Sequence, residues 1–229
     1  MLPLVVVLTL IGSSLSVLVA VVVSPHAGSR YVARYWARSV AWVIPIVVRV
    51  KGAENARPGQ SYIVVCNHQS QIDILTVYGW LDLDLKWVIK KELRKVPGIG
   101  IGCEKVGHIF VDRKNPEKAR ASINAALKRL GDGIGILFFP EGTRSDDGRL
   151  LPFKKGAFRV AIDQQLPVLP VTLNGTRDIL PARTLKLFPG ATSMRIHPEI
   201  PTRGKSLDDL KQIMTSAQEA IAAGLDRGD

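Results

Sequence analysis

From Leu2 to Ser24 the chain carries no charged residue, and beyond Val48 short apolar runs alternate with segments of helical period. The first run is long enough to cross a bilayer, because a helix rising about 1.5 Å per residue needs roughly 20 residues for the hydrocarbon core. A secretory signal usually has a basic start, a shorter apolar stretch and a small-residue cleavage site. The run lacks a basic start and is apolar all round, so a retained membrane anchor is expected rather than a cleaved leader or a buried core helix.

A second apolar stretch, "SVAWVIPIVV" at 39–48, is too short to span and contains Pro45. With the first run it predicts a two-helix membrane element whose second member is interfacial or re-entrant. "ENARPGQ", from Glu54 to Gln60, reads as a turn-rich connector. The expected division is therefore 1–50 as N-terminal membrane-anchoring helices and 51–229 as the catalytic domain, whose first residues lie near Val48.

The strand candidates are "YIVVC", "LKWVI", "HIFVD", "IGILFF", "PVLPVTL" and "SMRIHP". Asn115 and Pro116 open a helix with Ile123, Ala126, Leu127 and Leu130 on its apolar face and Gly131 at its end. A closing amphipathic helix is expected from Ser206 to about Leu225. This alternation predicts an α/β fold with a mixed, largely parallel sheet flanked by helices.

Charge adds a partner class. A net charge of +11 and a pI near 9.9 call for an anionic surface or substrate. Arg30, Arg34 and Arg38 fall on one helical stripe, with Tyr31, Tyr35, Trp36 and Trp42 interleaved, which suits a helix at the lipid headgroup boundary. A solvated face of an ordinary amphipathic helix is the alternative. Basic residues just after the apolar run place the rest of the chain on the cytoplasmic side. No zinc-finger spacing, RNA-recognition aromatic motif or basic zipper is present, so nucleic acid is not the expected partner. Cys66 and Cys103 read as reduced packing residues, and no His, Cys, Asp and Glu set has metal-ligand spacing.

Three polar clusters lie just after strand candidates, where ligands gather in open α/β sheets. In "NHQSQID", Asp73 can fold back to His68 and fix its tautomer, leaving the other nitrogen to take a proton. Ser70 to Asp73 also resembles a capping box. "GHIFVDR" ends in Asp112 and Arg113, and "FFPEGTRS" offers Glu141, Gly142, Thr143 and Arg144, a hydroxyl and a guanidinium suited to phosphate or simply a polar turn. "FKKGAF" then places Lys154 and Lys155 at a helix start. His26, His108 and His197 read as structural.

"NHQSQID", "GHIFVDR", "FPEGTRS" and "LPVLPV" resemble, in order and spacing, the four motif blocks of the 1-acylglycerol-3-phosphate acyltransferase family, over about residues 60–173. "IKKEL", which contains Lys90, is similar to the segment between its first two blocks. The resemblance implies that His68 is a general base with Asp73 as its partner. It implies that Arg113, with Gly107 and Phe110, and Glu141, Gly142, Thr143 and Arg144 shape a glycerol phosphate site. It makes Pro167 and Pro170 a site wall and, with Lys90 and Lys155, candidates for the substrate or acyl-donor site. "NGTRDILPAR", after Leu173, is less diagnostic.

The implied chemistry is acyl transfer from acyl-CoA, or an acyl carrier protein, to the sn-2 hydroxyl of lysophosphatidic acid, with no other cofactor and no metal. The alternatives are another lysophospholipid or lyso-aminolipid as acceptor, or a non-catalytic lipid-binding membrane protein. A serine hydrolase using Ser70 is disfavoured because no G-x-S-x-G elbow is present and capping already accounts for that residue.

Overall fold

The computed structural model describes residues 1–96, 99–112, 115–130, 132–145 and 147–226. The described strands form one seven-stranded sheet: β1 (Ile46–Lys51), β2 (Tyr62–Cys66), β3 (Asp84–Lys90), β4 (Ile109–Val111), β5 (Ile134–Phe138), β6 (Val168–Asn174) and β7 (Gly190–Ile196). Their order is β1-β7-β6-β2-β5-β3-β4. The described α-helices are α1 (Leu2–Val22), α2 (Pro25–Ala27), α3 (Ala33–Val43), α4 (Ile72–Trp80), α5 (Ile99–Lys105), α6 (Pro116–Leu130), α7 (Gly156–Gln164), α8 (Thr176–Ile179) and α9 (Leu210–Gly224). All neighbours run parallel except β6 and β7, which makes the sheet mixed and largely parallel as the pattern predicts.

The central strand shows how one sequence feeds two layers. Every residue of β2 is buried, and alternate side chains enter opposite cores. Tyr62, Val64 and Cys66 join α3 (Ala33–Val43) and α4 (Ile72–Trp80) on one face. Ile63 and Val65 meet α6 (Pro116–Leu130), α7 (Gly156–Gln164) and α9 (Leu210–Gly224) on the other. The unbroken apolar reading "YIVVC" is what burial on both faces requires.

The expected N-cap of α6 is present. Asn115 Oδ1 accepts from the Lys118 N–H at 3.0 Å, and Ile123 and Ala126 are buried. Gly131 lies outside the described residues. Ser206 accepts from the Asp208 N–H at 3.1 Å ahead of α9.

The N-terminal region departs from its expectation. α1 (Leu2–Val22) is long and apolar enough to cross a membrane by length and composition. The stretch 39–48, however, is not a second membrane helix. Ala37, Val40, Ala41 and Ile44 are buried in the core, and Ile46–Lys51 is β1, paired in register with β7 across the 50/51 position. Apolar period alone does not tell a lipid-facing helix from one covered by protein.

The arginine stripe likewise faces protein. Arg30 and Arg34 pair with Asp82, Arg30 at 2.9 Å. Arg38 donates to Gly79 O at 2.9 Å and lies 5.7 Å from the Trp80 ring centre. Trp36 packs on α1, its indole N–H donating to Thr9 Oγ1 at 3.3 Å. Tyr31, Tyr35 and Trp42, the last 83% exposed, are the aromatic residues of this stretch that stay exposed.

Candidate active site

Where β2 ends, Asn67 continues its ladder with a side chain. Its Nδ2 donates to Leu173 O and its Oδ1 accepts from the Leu173 N–H, both at 2.8 Å. This holds the ends of β2 and β6 together just as the chain turns. The His68 carbonyl then accepts from the Ser145 N–H at 2.8 Å, which brings in the loop after β5.

In the first turn of α4, Asp73 folds back and its Oδ2 lies 2.7 Å from His68 Nδ1. The same oxygen accepts from the Gln69 N–H at 2.7 Å and the Ser70 N–H at 2.8 Å. The other oxygen accepts from the Thr176 hydroxyl at 2.5 Å. His68 and Asp73 meet as expected, and the capping-box reading of "NHQSQID" holds only in part, because the N-cap of α4 is Gln71 with no side-chain bond and the Asp73 N–H reaches Ser70 O rather than its hydroxyl. Asp73 bonds the Ser70 amide as in a capping box, Ser70 Oγ accepts from Ile72 N–H at 3.2 Å, and one carboxylate also holds the histidine.

Asp73 is fully buried, whereas the His68 side chain is 16% exposed. With a carboxylate at Nδ1, the neutral ring carries its proton there and presents Nε2 as the acceptor. Nε2 has no hydrogen-bond partner among the described residues. Phe139 stacks on the imidazole, ring centres 4.0 Å apart and planes at 19°, and fixes its plane.

Ser70 is not a nucleophile. It is fully buried, and its hydroxyl donates to Leu180 O at 2.7 Å. Cys66 is buried too, and burial pushes its thiol up, away from thiolate chemistry.

Glu141 differs from its expected role in phosphate binding. It is buried, and its two oxygens accept from the His68 N–H at 2.7 Å and the Leu151 N–H at 2.8 Å. Burial pushes its carboxyl up, while those two amides pull it back down. An acceptor-only group facing inward organises the loop and cannot donate to a phosphate. Gly142, with φ +76, and Thr143 are exposed, and Arg144 is half-buried. The Lys154 amine lies against Gly142, where a Cβ would collide with it.

The other expected site residues disperse. Arg113 lies outside the described residues. Lys155 is exposed beside Lys154, at the N-cap of α7. Lys90 is exposed at the end of β3, with β5 between it and β2. Pro167 does not line the dyad: its carbonyl accepts from Ile63 N–H at 3.0 Å, at the opposite end of β2. At about 3.3 Å per residue, that is roughly 16 Å from His68 along the strand. Pro170 is buried opposite Val65 as part of the sheet.

An acyltransferase family model matches residues 47–174, more than half of the chain. The chain belongs to the acyltransferase family. Among solved structures of acyltransferases, it is similar to the 1-acyl-sn-glycerophosphate acyltransferase PlsC from Thermotoga maritima. That likeness has a TM-score of 0.74 at 30% identity and covers 86% of this chain and 79% of the other. Human 1-acyl-sn-glycerol-3-phosphate acyltransferase alpha is 32% identical over 183 residues, 80% of this chain. The 1-acyl-sn-glycerol-3-phosphate acyltransferase of Limnanthes douglasii is 34% identical over 187 residues, 81% of this chain. The chain spans 65% and 66% of the length of these two relatives.

The acyltransferase match ends at Asn174, two residues before Thr176, which holds the far oxygen of Asp73. Sequence reasoning missed Thr176, Asn67 and Phe139. The available signal was positional: β6 neighbours β2 in parallel, so the loops leaving the two strands meet at one edge of the sheet.

Proposed function

We propose that this chain transfers an acyl group from a thioester to the sn-2 hydroxyl of 1-acyl-sn-glycerol 3-phosphate, giving phosphatidic acid. The observation that carries this reading is His68, held at Nδ1 by a buried aspartate and open at Nε2, beside the Gly142–Arg144 loop. His68 takes the proton of the hydroxyl as its oxygen attacks the thioester carbonyl. The C–O bond forms, the C–S bond breaks, and the imidazolium returns the proton to the departing thiolate. No acyl-enzyme is needed. General-base help of this kind contributes about 10²- to 10⁴-fold, or roughly 3 to 5 kcal/mol of barrier.

Thr143, Arg144 and Lys154 supply the donors for the acceptor phosphate, and charge-assisted bonds of that type are worth about 1.5 to 3 kcal/mol each. The names of the similar enzymes support the same acceptor. Either acyl-CoA or an acyl carrier protein fits as donor. α1 holds the enzyme at the membrane with the catalytic domain on the cytoplasmic face, where a long acyl chain need not leave the bilayer at about 0.8 kcal/mol per methylene.

The test is thiol release by the full chain in detergent, with lysophosphatidic acid and acyl-CoA, for wild type and His68→Ala. The expected result is acceptor-dependent release by wild type and almost none by the variant. Equal release from both removes His68 from the chemistry. Release without acceptor indicates a thioesterase, and preference for lysophosphatidylcholine reassigns the acceptor.

A further inference from the structure

In the segment "NGTRDILPAR", Arg177, Asp178, Pro181, Ala182 and Arg183 line an open cavity of about 350 Å³. Its lining adjoins residues that bond Asp73 and Ser70. Thr176, one residue before Arg177, bonds Asp73 at 2.5 Å, and Leu180 O, one residue before Pro181, accepts from Ser70 at 2.7 Å. The Arg177 guanidinium also reaches the loop after β5, since a Cβ on Gly148 would lie 3.2 Å from its Nη1. Gln69, the neighbour of His68, meets the same glycine, its Nε2 3.5 Å from Gly148 O. Arg177 thus sits between the two loops that flank His68. Arg183 has φ +61, a left-handed backbone uncommon for a residue with a side chain, and its side chain lines the cavity from there.

Two phosphorylated molecules must converge on one histidine if both acceptor and donor are to react there. The loop carrying Arg144 follows β5 and the loop carrying Arg177 follows β6, and these strands lie on opposite sides of β2. We propose that the cavity of Arg177 and Arg183 is a second anion subsite that binds a phosphate ester of a substrate, separate from the phosphate held by Thr143, Arg144 and Lys154. Arginine forks suit phosphate oxygens bidentately. Asp178 lines the same cavity beside the two arginines. The ligand is a phosphate ester of the donor's phosphopantetheine carrier, because the acceptor carries a single phosphate and Thr143, Arg144 and Lys154 take it.

The inference rests on the acyl-transfer reading for its substrates but not for its binding site, so two measurements are paired. Equilibrium dialysis of the full chain in detergent against radiolabelled inorganic pyrophosphate should show binding that weakens about tenfold or more in Arg177→Ala and Arg183→Ala. Arg177→Lys, which keeps the charge but loses the fork, should fall between. Steady-state kinetics should show a KM raised about tenfold for acyl-CoA, with kcat within about threefold. A rise for acyl-CoA that disappears with an acyl-pantetheine donor identifies the carrier. A rise for lysophosphatidic acid with the KM for acyl-CoA unchanged overturns the second subsite, because the acceptor's single phosphate then explains both clusters.

Equal pyrophosphate binding by wild type and both alanine variants, each with an unchanged Tm, overturns the subsite. A wild type that binds pyrophosphate through Arg177 yet transfers no acyl group overturns the reaction and leaves the anion subsite standing.

Discussion

Asp73 Oδ2 stands 2.7 Å from His68 Nδ1 while also accepting two backbone N–H groups, from Gln69 and Ser70. The position of the carboxylate is therefore set by backbone, and the imidazole is placed by it. Asp73→Asn should preserve this geometry, with the amide oxygen toward the three donors and the amide nitrogen toward Thr176. It removes the charge that stabilises the imidazolium formed during transfer. The expected outcome is a fall in kcat of about 10²- to 10⁴-fold with KM within a few-fold and a Tm close to wild type. Parallel kinetics and thermal unfolding check it. A variant that keeps most of its turnover shows that the charge of Asp73 does not act in the step.

The Thr176 hydroxyl reaches the same carboxylate from the loop after β6, 103 residues away in the chain. A hydrogen bond to a charged group is worth about 1.5 to 3 kcal/mol. Thr176→Val should lower kcat about tenfold, and Thr176→Ser should recover most of it. A loss in Thr176→Val that appears in thermal stability alone, with kcat intact, assigns the residue to packing.

How much of the site is legible in the sequence depends on physical range. Histidine and aspartate at H-x4-D spacing belong to one strand end and one helix start, so local rules bring them together. The buried strand "YIVVC" is legible for the same reason. Thr176 is not, because its contact depends on β6 lying beside β2. The stripe of Arg30, Arg34 and Arg38 reads as one helical face, but the partner of its first two members, Asp82, comes from just beyond the end of α4. Periodicity says which residues share a face and nothing of what covers it. Glu141 escapes sequence reasoning because a carboxylate in a polar turn looks the same on paper whether it faces solvent or two buried amides.

A second charged cluster joins the N-terminal helices to the sheet. Lys86 Nζ is buried 2.9 Å from Asp84 Oδ1 and bonds Ser29 Oγ at 2.6 Å and Val106 O at 3.0 Å, while His26 Nδ1 lies 2.9 Å from Asp84 Oδ2. Burial pulls the lysine down from its ordinary value, and Asp84 opposes that pull. Removing one partner leaves an uncompensated buried charge, at a cost of about 3 to 5 kcal/mol. Asp84→Ala should therefore lose about that much stability in urea unfolding, and should expose the turn at 24–28 to protease. Combining it with Lys86→Met should recover most of the loss. If the double variant is no more stable than Asp84→Ala alone, the buried ammonium is not the source of the cost.

The same region makes stability sensitive to acid. His108 Nδ1 accepts from the Trp87 N–H at 3.3 Å, and its ring meets Tyr78 edge-on, with centres 6.4 Å apart. Burial, aided by the nearby Lys86 charge, lowers its pKa from 6.5 to about 3. The folded protein therefore holds His108 neutral while the unfolded chain takes up a proton below about 6.5, so stability is full above that pH and falls as pH drops toward 3. At about 1.4 kcal/mol per unit, the loss by pH 4 is about 3 kcal/mol. His108→Asn can present an amide oxygen to the Trp87 N–H without a titrating group. Urea unfolding at pH 7 and pH 4 should show a smaller acid loss for the variant than for wild type, by about 3 kcal/mol. Equal losses in the two proteins would move the acid sensitivity to another group.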